Sequence, residues 1–560
     1  MKIFRTVSIG FVLLSAMTLP NRLYATTIRV PGDQPTIRAA VTIAVNGDTI
    51  LLADGVYSGE GNRDIAINGK SIVIQSENGP NLCSIDIDGM HAVPRRAFIL
   101  SNGESRDTEI RGIMLRGGCS DDGGAILCSG SSPTIVDCIF LENEGWGDNP
   151  WGGAISCRGG SPLIDDCGFF SNFVWGRTCF GGAISLESTS NAVIRNCIFQ
   201  NNWTENFGGA IYSKESSATI LNSIFEGNLC RNGGYEGVGG GICALYSNMS
   251  IGNCLFANNE AANNGAGAFF YSGVIEIANC SFAGNSSDHA GGAIYVDNLV
   301  DLIVRNCILW NNAPDSIAIW SKSVVDVSFS DVEHGYEGIG NIDADPLFQS
   351  GINGHYYLGQ TSSGQPVTSP CINTGFGVAS ETCYSDGDFS FCLNQLTTRT
   401  DGMADDGLSD MGFHYPLHFS APTQTPTPVP STPTPTVTPA LSLGVRIDMP
   451  IWVSPGDRFE VLGVTVNTLE PMTDLPLFFI LQFLDEYWFW PSWSHSEPDF
   501  RIVDVPAGET RYQVVPACIW PETASDTVTD IWFYGALLNS EMTAIIGTSA
   551  EVQWGFGPAE

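Results

Sequence analysis

Positive charge is scarce in this chain. Lys2, Lys70, Lys214 and Lys322 are the only lysines, and Lys and Arg together number 24 against 60 Asp and Glu, a net charge of −36. A polyanion would be repelled, so the composition argues against a nucleic-acid or acidic-lipid partner. Long apolar runs are missing as well. Ile9 to Leu19 falls short of the roughly 18–20 residues that span a bilayer. Leu475 to Leu484 is apolar but stops at Asp485-Glu486, which predicts a buried strand. Helical patterning is nearly absent. Pro35 to Val45 is the one good candidate, with Ile37, Ala40, Val41 and Ala44 on one face and Asn46-Gly47 as the stop.

What is abundant points to an all-β coil. Glycine reaches 63 of 560 residues, and hydrophobic content of 43% is enough for a large core. Between Cys119 and Asn312 a ladder of short repeats runs through the chain. Gly-Gly-Ala-Ile occurs at 123–126, 152–155, 181–184, 208–211 and 291–294, with weaker copies at 239–242 and 265–269. Each copy is followed by an aromatic-x-x-Asn mark: Phe140/Asn143, Phe169/Asn172, Phe199/Asn202, Phe225/Asn228, Phe256/Asn259 and Phe282/Asn285. Leu309/Asn312 closes the series, and the steps between Asn residues are 26 to 31 residues. A fixed period of this size makes each repeat one structural unit stacked on the next.

Such a period accommodates three short strands with their turns, each pairing with its copy about 4.8 Å away. A parallel β-helix is therefore predicted, with Ile126, Ile155, Ile184, Ile211, Ile242 and Ile294 as an internal column. The paired glycines suit backbone closed to residues with a Cβ. The repeated Asn suits a left-handed turn and can bond its copies in neighbouring rungs. A leucine-rich repeat has a similar period, but its Leu-x-x-Leu-x-Leu pattern is absent.

Lys2 and Arg5 before the apolar run, with Leu23-Tyr24-Ala25 after it, read as a secretory signal cut after Ala25. This places the mature protein outside the cytoplasm or on the cell surface. The predicted organisation is then a signal (1–25), an N-terminal cap and first coils (26–118), the repeat coils (119–312), and the last coils with a C-terminal cap (313–420). A Pro/Thr linker (421–440) follows, and then an antiparallel β-sandwich (441–560). The helix at Pro35 to Val45 would cover the open end of the stack.

The Gly-Gly-Ala-Ile and Phe-x-x-Asn pair resembles the repeats of chlamydial-type polymorphic outer membrane proteins. More broadly, the chain resembles bacterial right-handed parallel β-helix proteins of the pectin-lyase-like fold. Val30-Pro31-Gly32-Asp33-Gln34-Pro35-Thr36-Ile37, Gly47-Asp48-Thr49-Ile50 and Asp54-Gly55-Val56-Tyr57 are similar to their first segment. Asp343 to Phe348, Ser369 to Ile372 and Asp410 to Tyr415 are similar to their last. The resemblance implies the fold over residues 27–416. It leaves activity open, because the fold hosts lyases, hydrolases, adhesins and stalks. Lyases of this class use an Arg or Lys base with Ca²⁺ held by clustered Asp. Here lysine is scarce, and the Gly-His-Gly and Arg-x-Lys signatures of the polygalacturonase branch are absent.

Several candidate residues fall in repeat slots. Asp166 shares its slot with Asp137, Asn196, Asn222, Asn253, Asn279 and Asn306, and Arg195 shares one with Arg305, which makes both structural. Cys138, Cys167, Cys197, Cys254, Cys280 and Cys307 form a column predicted to be buried reduced thiols, with Ser223 in the gap. Cys383 and Cys392 suit a local disulfide. Four tryptophans between repeat marks, Trp146, Trp151, Trp175 and Trp203, are expected on one flank, where a row of rings could stack on sugars. Asp401, Asp405 and Asp410, in a Gly-interrupted acidic stretch, are the candidate Ca²⁺ ligands. Tyr487 to Trp493 supplies aromatic rings to the second domain. The function these residues imply is a non-catalytic adhesive or glycan-binding scaffold. The alternative is a polysaccharide lyase or glycoside hydrolase with an accessory sandwich.

Overall fold

The computed structural model describes residues 25–417, apart from 189–190, 232–235 and 388, and the strand backbones between 443 and 556. The expected secretory signal, up to residue 24, and the expected Pro/Thr linker lie outside the described residues. The chain divides into two units, 1–422 and 423–560.

The first unit is a stack of coils built from parallel sheets of 20, 11 and 7 strands. Within one coil the chain runs through the Ile126–Ser129 strand, then Thr134–Val136, Ile139–Leu141 and the short flank strand Glu144–Gly147. The next coil repeats this at Ile155–Arg158, Leu163–Asp165, Gly168–Phe170 and Phe173–Gly176. Register follows the repeat: Ile126 faces Ile155, then Ile184, Ile211, Ile242, Ala268 and Ile294. All seven are buried. Each fully buried Ile contributes roughly 1.5–3 kcal/mol.

Two further columns close the interior. Phe140, Phe169, Phe199, Phe225, Phe256 and Phe282 stack face to face, centroids 4.5–4.7 Å apart and planes within 4°. Beside them runs the Asn column from Asn143 to Asn312. Each Nδ2 donates to the Oδ1 of the next Asn at 2.8–3.0 Å. The side-chain amides thus satisfy one another inside the coil, where an unpaired amide would be costly. The left-handed turn is not at these Asn residues but one position earlier, at Glu142, Ser171, Asn201, Gly227, Asn258, Gly284 and Asn311. A second left-handed column is the slot of Asp137, Asp166, Asn196, Asn222, Asn253, Asn279 and Asn306, with φ of 48–55°. The first glycine of each Gly-Gly pair is required: at Gly181, φ is +71° and a Cβ would lie 2.1 Å from the Ile184 carbonyl.

The cysteine column is buried and reduced, as expected. Burial pushes the Cys167, Cys280 and Cys307 thiols well above the ordinary range, so they act as small hydrophobes. Cys197 N–H donates to Ser223 Oγ at 3.1 Å, where serine replaces the thiol. Cys383 and Cys392 form a disulfide.

The helix is shorter than its pattern suggested. It covers Ile37–Ile43, with Thr36 Oγ1 accepting from Ala39 N–H at its start and Ala44 already extended at its end. Ile37, Ala40 and Val41 join the interior cluster.

The parallel pairing ends at Asp331–Val332 and Ile342. Residues 348–416 then form short antiparallel hairpins instead of further coils. This segment lies against earlier coils, and the second left-handed Asn column receives it. Asn253 exchanges two hydrogen bonds with His414, Asn279 Nδ2 donates to the Asp410 carbonyl, and Asn306 exchanges two with Phe376. In the second unit, 443–448, 458–467 and 508–519 form one antiparallel sheet. Six strands, including Met472–Phe483 and Val528–Leu537, form another. Of the Tyr487 to Trp493 run, only the Glu486–Phe489 strand backbone is described. No helix among the described residues is long and apolar enough to cross a membrane.

Candidate functional site: an aromatic cleft on the outer face

The outer face of the Gly-Gly-Ala-Ile sheet changes character along the stack. The residue after the buried Ile points outward and reads Leu127, Ser156, Ser185, Tyr212, Cys243, Phe269, Tyr295 and Ala318 in successive coils. A second column, in the turn before the glycine pair, places Trp151, Phe180, Phe207 and Val238 one above the other. Together they make an apolar layer outside the coil. Trp151 stacks on Phe180 at 4.2 Å, and Phe269 on Tyr295 at 5.3 Å.

Toward the later coils this layer opens into a cleft of about 740 Å³. Phe207, Phe269, Tyr271, Tyr295 and Trp320 supply its apolar wall, and Asn264, His289 and Asp297 its polar groups. Trp320 is 64% exposed, so its ring is open to a ligand. Burial raises the Asp297 carboxyl above the usual range, and burial with the nearby Asp297 charge raises the Tyr295 phenol. Flat rings with a few convergent polar groups on a rigid sheet are what a small organic ligand requires.

The four tryptophans do not form one row. Trp146 and Trp175 are register partners on the outer face of the flank sheet, 4.5 Å apart and tilted by 46°. His91 stacks on Trp146 at 3.8 Å. Trp203 lies on the same face, one column across, stacked on Phe173 at 5.0 Å with Arg231 over its ring. His91 thus takes a face of Trp146 and Phe173 a face of Trp203, while Trp175 stays exposed. Trp151 sits in the turn before the glycine pair and packs into the apolar layer of the other face, with Arg158 5.2 Å from its ring centroid.

The calcium triad does not assemble as expected. Asp401 is taken by Arg399 and Ser363, and this pairing pulls its carboxyl down to about 2. Asp405 and Asp410 lie instead with His414, all three buried. His414 Nε2 meets Asp405 Oδ2 at 2.9 Å, and Asp410 accepts from Asn373 N–H at 2.7 Å and from Thr398. Burial and the Asp405 charge push the Asp410 carboxyl up to about 6. The hydrogen bonds tie the tail together, so this arrangement is explained without a cation.

Asp165 and Asp166 border a second groove with Asn196 and Asn222. Arg195 is close by but closed off: it pairs with Asp165 at 2.9 Å and with Asp386, and Phe389 covers its guanidinium at 4.4 Å. Burial and the Asp137 and Asp165 charges raise the Asp166 carboxyl.

A family model for the right handed beta helix region matches residues 72–248 and 209–345. The first unit is a right-handed parallel β-helix. No curated protein matches the chain. Among solved structures the β-helix is similar to a mutant of AlyGC, a PL6 family alginate lyase, at 12% identity and a TM-score of 0.29. The match covers 77% of this chain and 62% of that one, so this chain spans less than two thirds of the lyase's length.

Proposed function

We propose that the protein is a non-catalytic glycan-binding scaffold of the cell exterior, and that the aromatic cleft between Phe207 and Trp320 holds the sugar. The observation that carries this reading is the cleft itself, with the open Trp320 ring and the buried Tyr295 ring in its wall beside Asn264, His289 and Asp297. Sugar rings offer apolar faces to aromatics and hydroxyls to amides and carboxylates. In this reading residues 1–25 direct export, the short helix covers the first coil, and the C-terminal sheets pack as a sandwich. The Pro/Thr segment tethers the two modules so that binding by both raises avidity.

The Asp165–Arg195 group does not offer a lyase base. An arginine base must reach its substrate, and Arg195 is enclosed by two carboxylates and a phenyl ring. The test is a panel of neutral and acidic polysaccharides scored for retention on the immobilised protein and for release of unsaturated or reducing ends. Retention of at least one polysaccharide without new ends supports the scaffold. New ends would replace it with the enzyme, and neither retention nor new ends across the panel would sink both.

A further inference from the structure

Away from the cleft, the flank sheet carries a second constellation. Cys119 and Glu144 are register partners in adjacent flank strands, so their side chains leave the same face one above the other. A hairpin at residues 88–95 folds over them. Its tip is closed by paired hydrogen bonds between Met90 and Val93, and its base by two between Arg95 and Cys119. The hairpin delivers His91, whose Nε2 lies 2.7 Å from Glu144 Oε1. The His91 nitrogen, the Cys119 sulfur and the Glu144 oxygen all lie within 4.8 Å of one another.

We propose that His91, Cys119 and Glu144 bind a borderline-soft divalent transition ion of the zinc class. A nitrogen, a sulfur and an oxygen donor are the ligand types this ion takes, at about 2.0–2.3 Å, which places neighbouring donors roughly 3.5 Å apart. The trio reaches that spacing by a small opening of the His91–Glu144 contact and an approach of the thiol. Three protein ligands leave a fourth position open. Cys119 lies outside the buried cysteine column and is covered by the hairpin, with only 2% exposure. The stack of His91 on Trp146 orients the imidazole plane, a supporting contact of the kind that fixes metal-ligating histidines. As a plain surface ion pair, the His91–Glu144 contact would be worth only about 0–1 kcal/mol. The buried Cys119 thiol beside it hydrogen-bonds the same Glu144 carboxylate, which gathers the three donors.

Titration of the reduced full-length protein with Co²⁺, followed by thiolate-to-cobalt charge-transfer absorption, tests the site. One ion per chain is expected, displaced by Zn²⁺. His91→Ala should weaken binding by ~10-fold or more, the scale on which lost supporting contacts already act, and Cys119→Ser should abolish the charge-transfer band. Asp410→Asn, in the buried Asp405–Asp410–His414 group, should leave the band unchanged. A band that survives Cys119→Ser, or its absence from the folded wild-type protein, would overturn the assignment. Zn²⁺ should also raise the melting temperature of the wild type but not of His91→Ala. Equal shifts in both would count against it. Because the glycan cleft is on another sheet, Trp320→Ala should leave the cobalt titration unchanged.

Discussion

Asn172 donates from Nδ2 to Oδ1 of Asn202 at 3.0 Å, and its own backbone N–H reaches the same oxygen at 2.9 Å. One carboxamide oxygen thus holds two donors from the coil below, while Asn202 Nδ2 bonds the Phe169 carbonyl and Asn228. Every link is buried. Asn202→Ala therefore leaves donors and a carbonyl on both sides without partners. A cost of about 2–4 kcal/mol is expected, since each unsatisfied buried group costs roughly 1–3 kcal/mol. Urea denaturation compared with the wild type checks this. A loss of less than half a kcal/mol, on the scale of a neutral surface change, would show that the ladder does not carry weight.

The Ile column predicts a graded series. Ile155 is fully buried between Ile126 and Ile184. Ile155→Ala should cost about 2–5 kcal/mol through lost burial and a residual cavity. Ile155→Asp places a carboxylate where no counter-charge is present among the described neighbours, and neighbouring coils should lose protection in hydrogen exchange. The opposite outcome, uniform protection with Asp in place, would remove Ile155 from the interior.

The cleft yields a functional prediction. Trp320→Ala and Tyr295→Ala should weaken retention of whichever polysaccharide the panel identifies, with Trp320→Ala leaving the melting temperature within a degree or two, as for a surface change. Trp175→Ala should bind normally, because the open face in question belongs to the other sheet. Normal binding by both cleft variants with loss in Trp175→Ala would move the glycan to the flank.

How much of this was readable beforehand depends on which physical property the residue type encodes. The Ile126 to Ile294 column and the Phe140 to Phe282 stack follow from spacing alone, because in-register parallel pairing puts like on like. The left-handed turn before the Asn ladder does not: Glu142, Ser171, Asn201 and Gly227 share a backbone conformation but no side-chain chemistry. The flank position of Trp146, Trp175 and Trp203 was expected, but their stacking on His91 and Phe173 depends on side-chain direction, which loop position does not specify. Trp151 lies in the turn after the flank strand and so packs on a different face. The cleft does have a signal in the sequence. The slot after the buried Ile changes from Ser156 and Ser185 to Tyr212, Cys243, Phe269 and Tyr295, and an outward slot that turns apolar and largely aromatic along the stack marks an apolar face. Asp401 failed as a partner of Asp405 and Asp410 because an arginine two residues away, Arg399, competes for it. The His91–Cys119–Glu144 group unites residues from three coils, and only the fold of the 88–95 hairpin brings the histidine in.

Asp331 gives the structure a pH dependence with a definite sign. Its carboxyl is fully buried, accepts from the Cys371 thiol at 3.1 Å and from Ala344 N–H, and is pushed by burial from 3.8 up to about 6. A carboxyl raised in the folded state holds its proton more tightly than the unfolded chain does. Its contribution to stability is therefore complete below about pH 4 and is lost as pH rises through about 6. Asp331→Asn, which keeps the shape without the titrating proton, removes that loss. The stability of the wild type relative to Asp331→Asn should fall between about pH 4 and pH 6 by an amount on the order of 2–3 kcal/mol, and be flat above pH 7. Denaturant midpoints of the two proteins at matched pH values measure it. A difference that stays constant across this window would mean that Asp331 titrates as an ordinary carboxylate, and one that grows with pH would mean that its charged form is the one the fold stabilises.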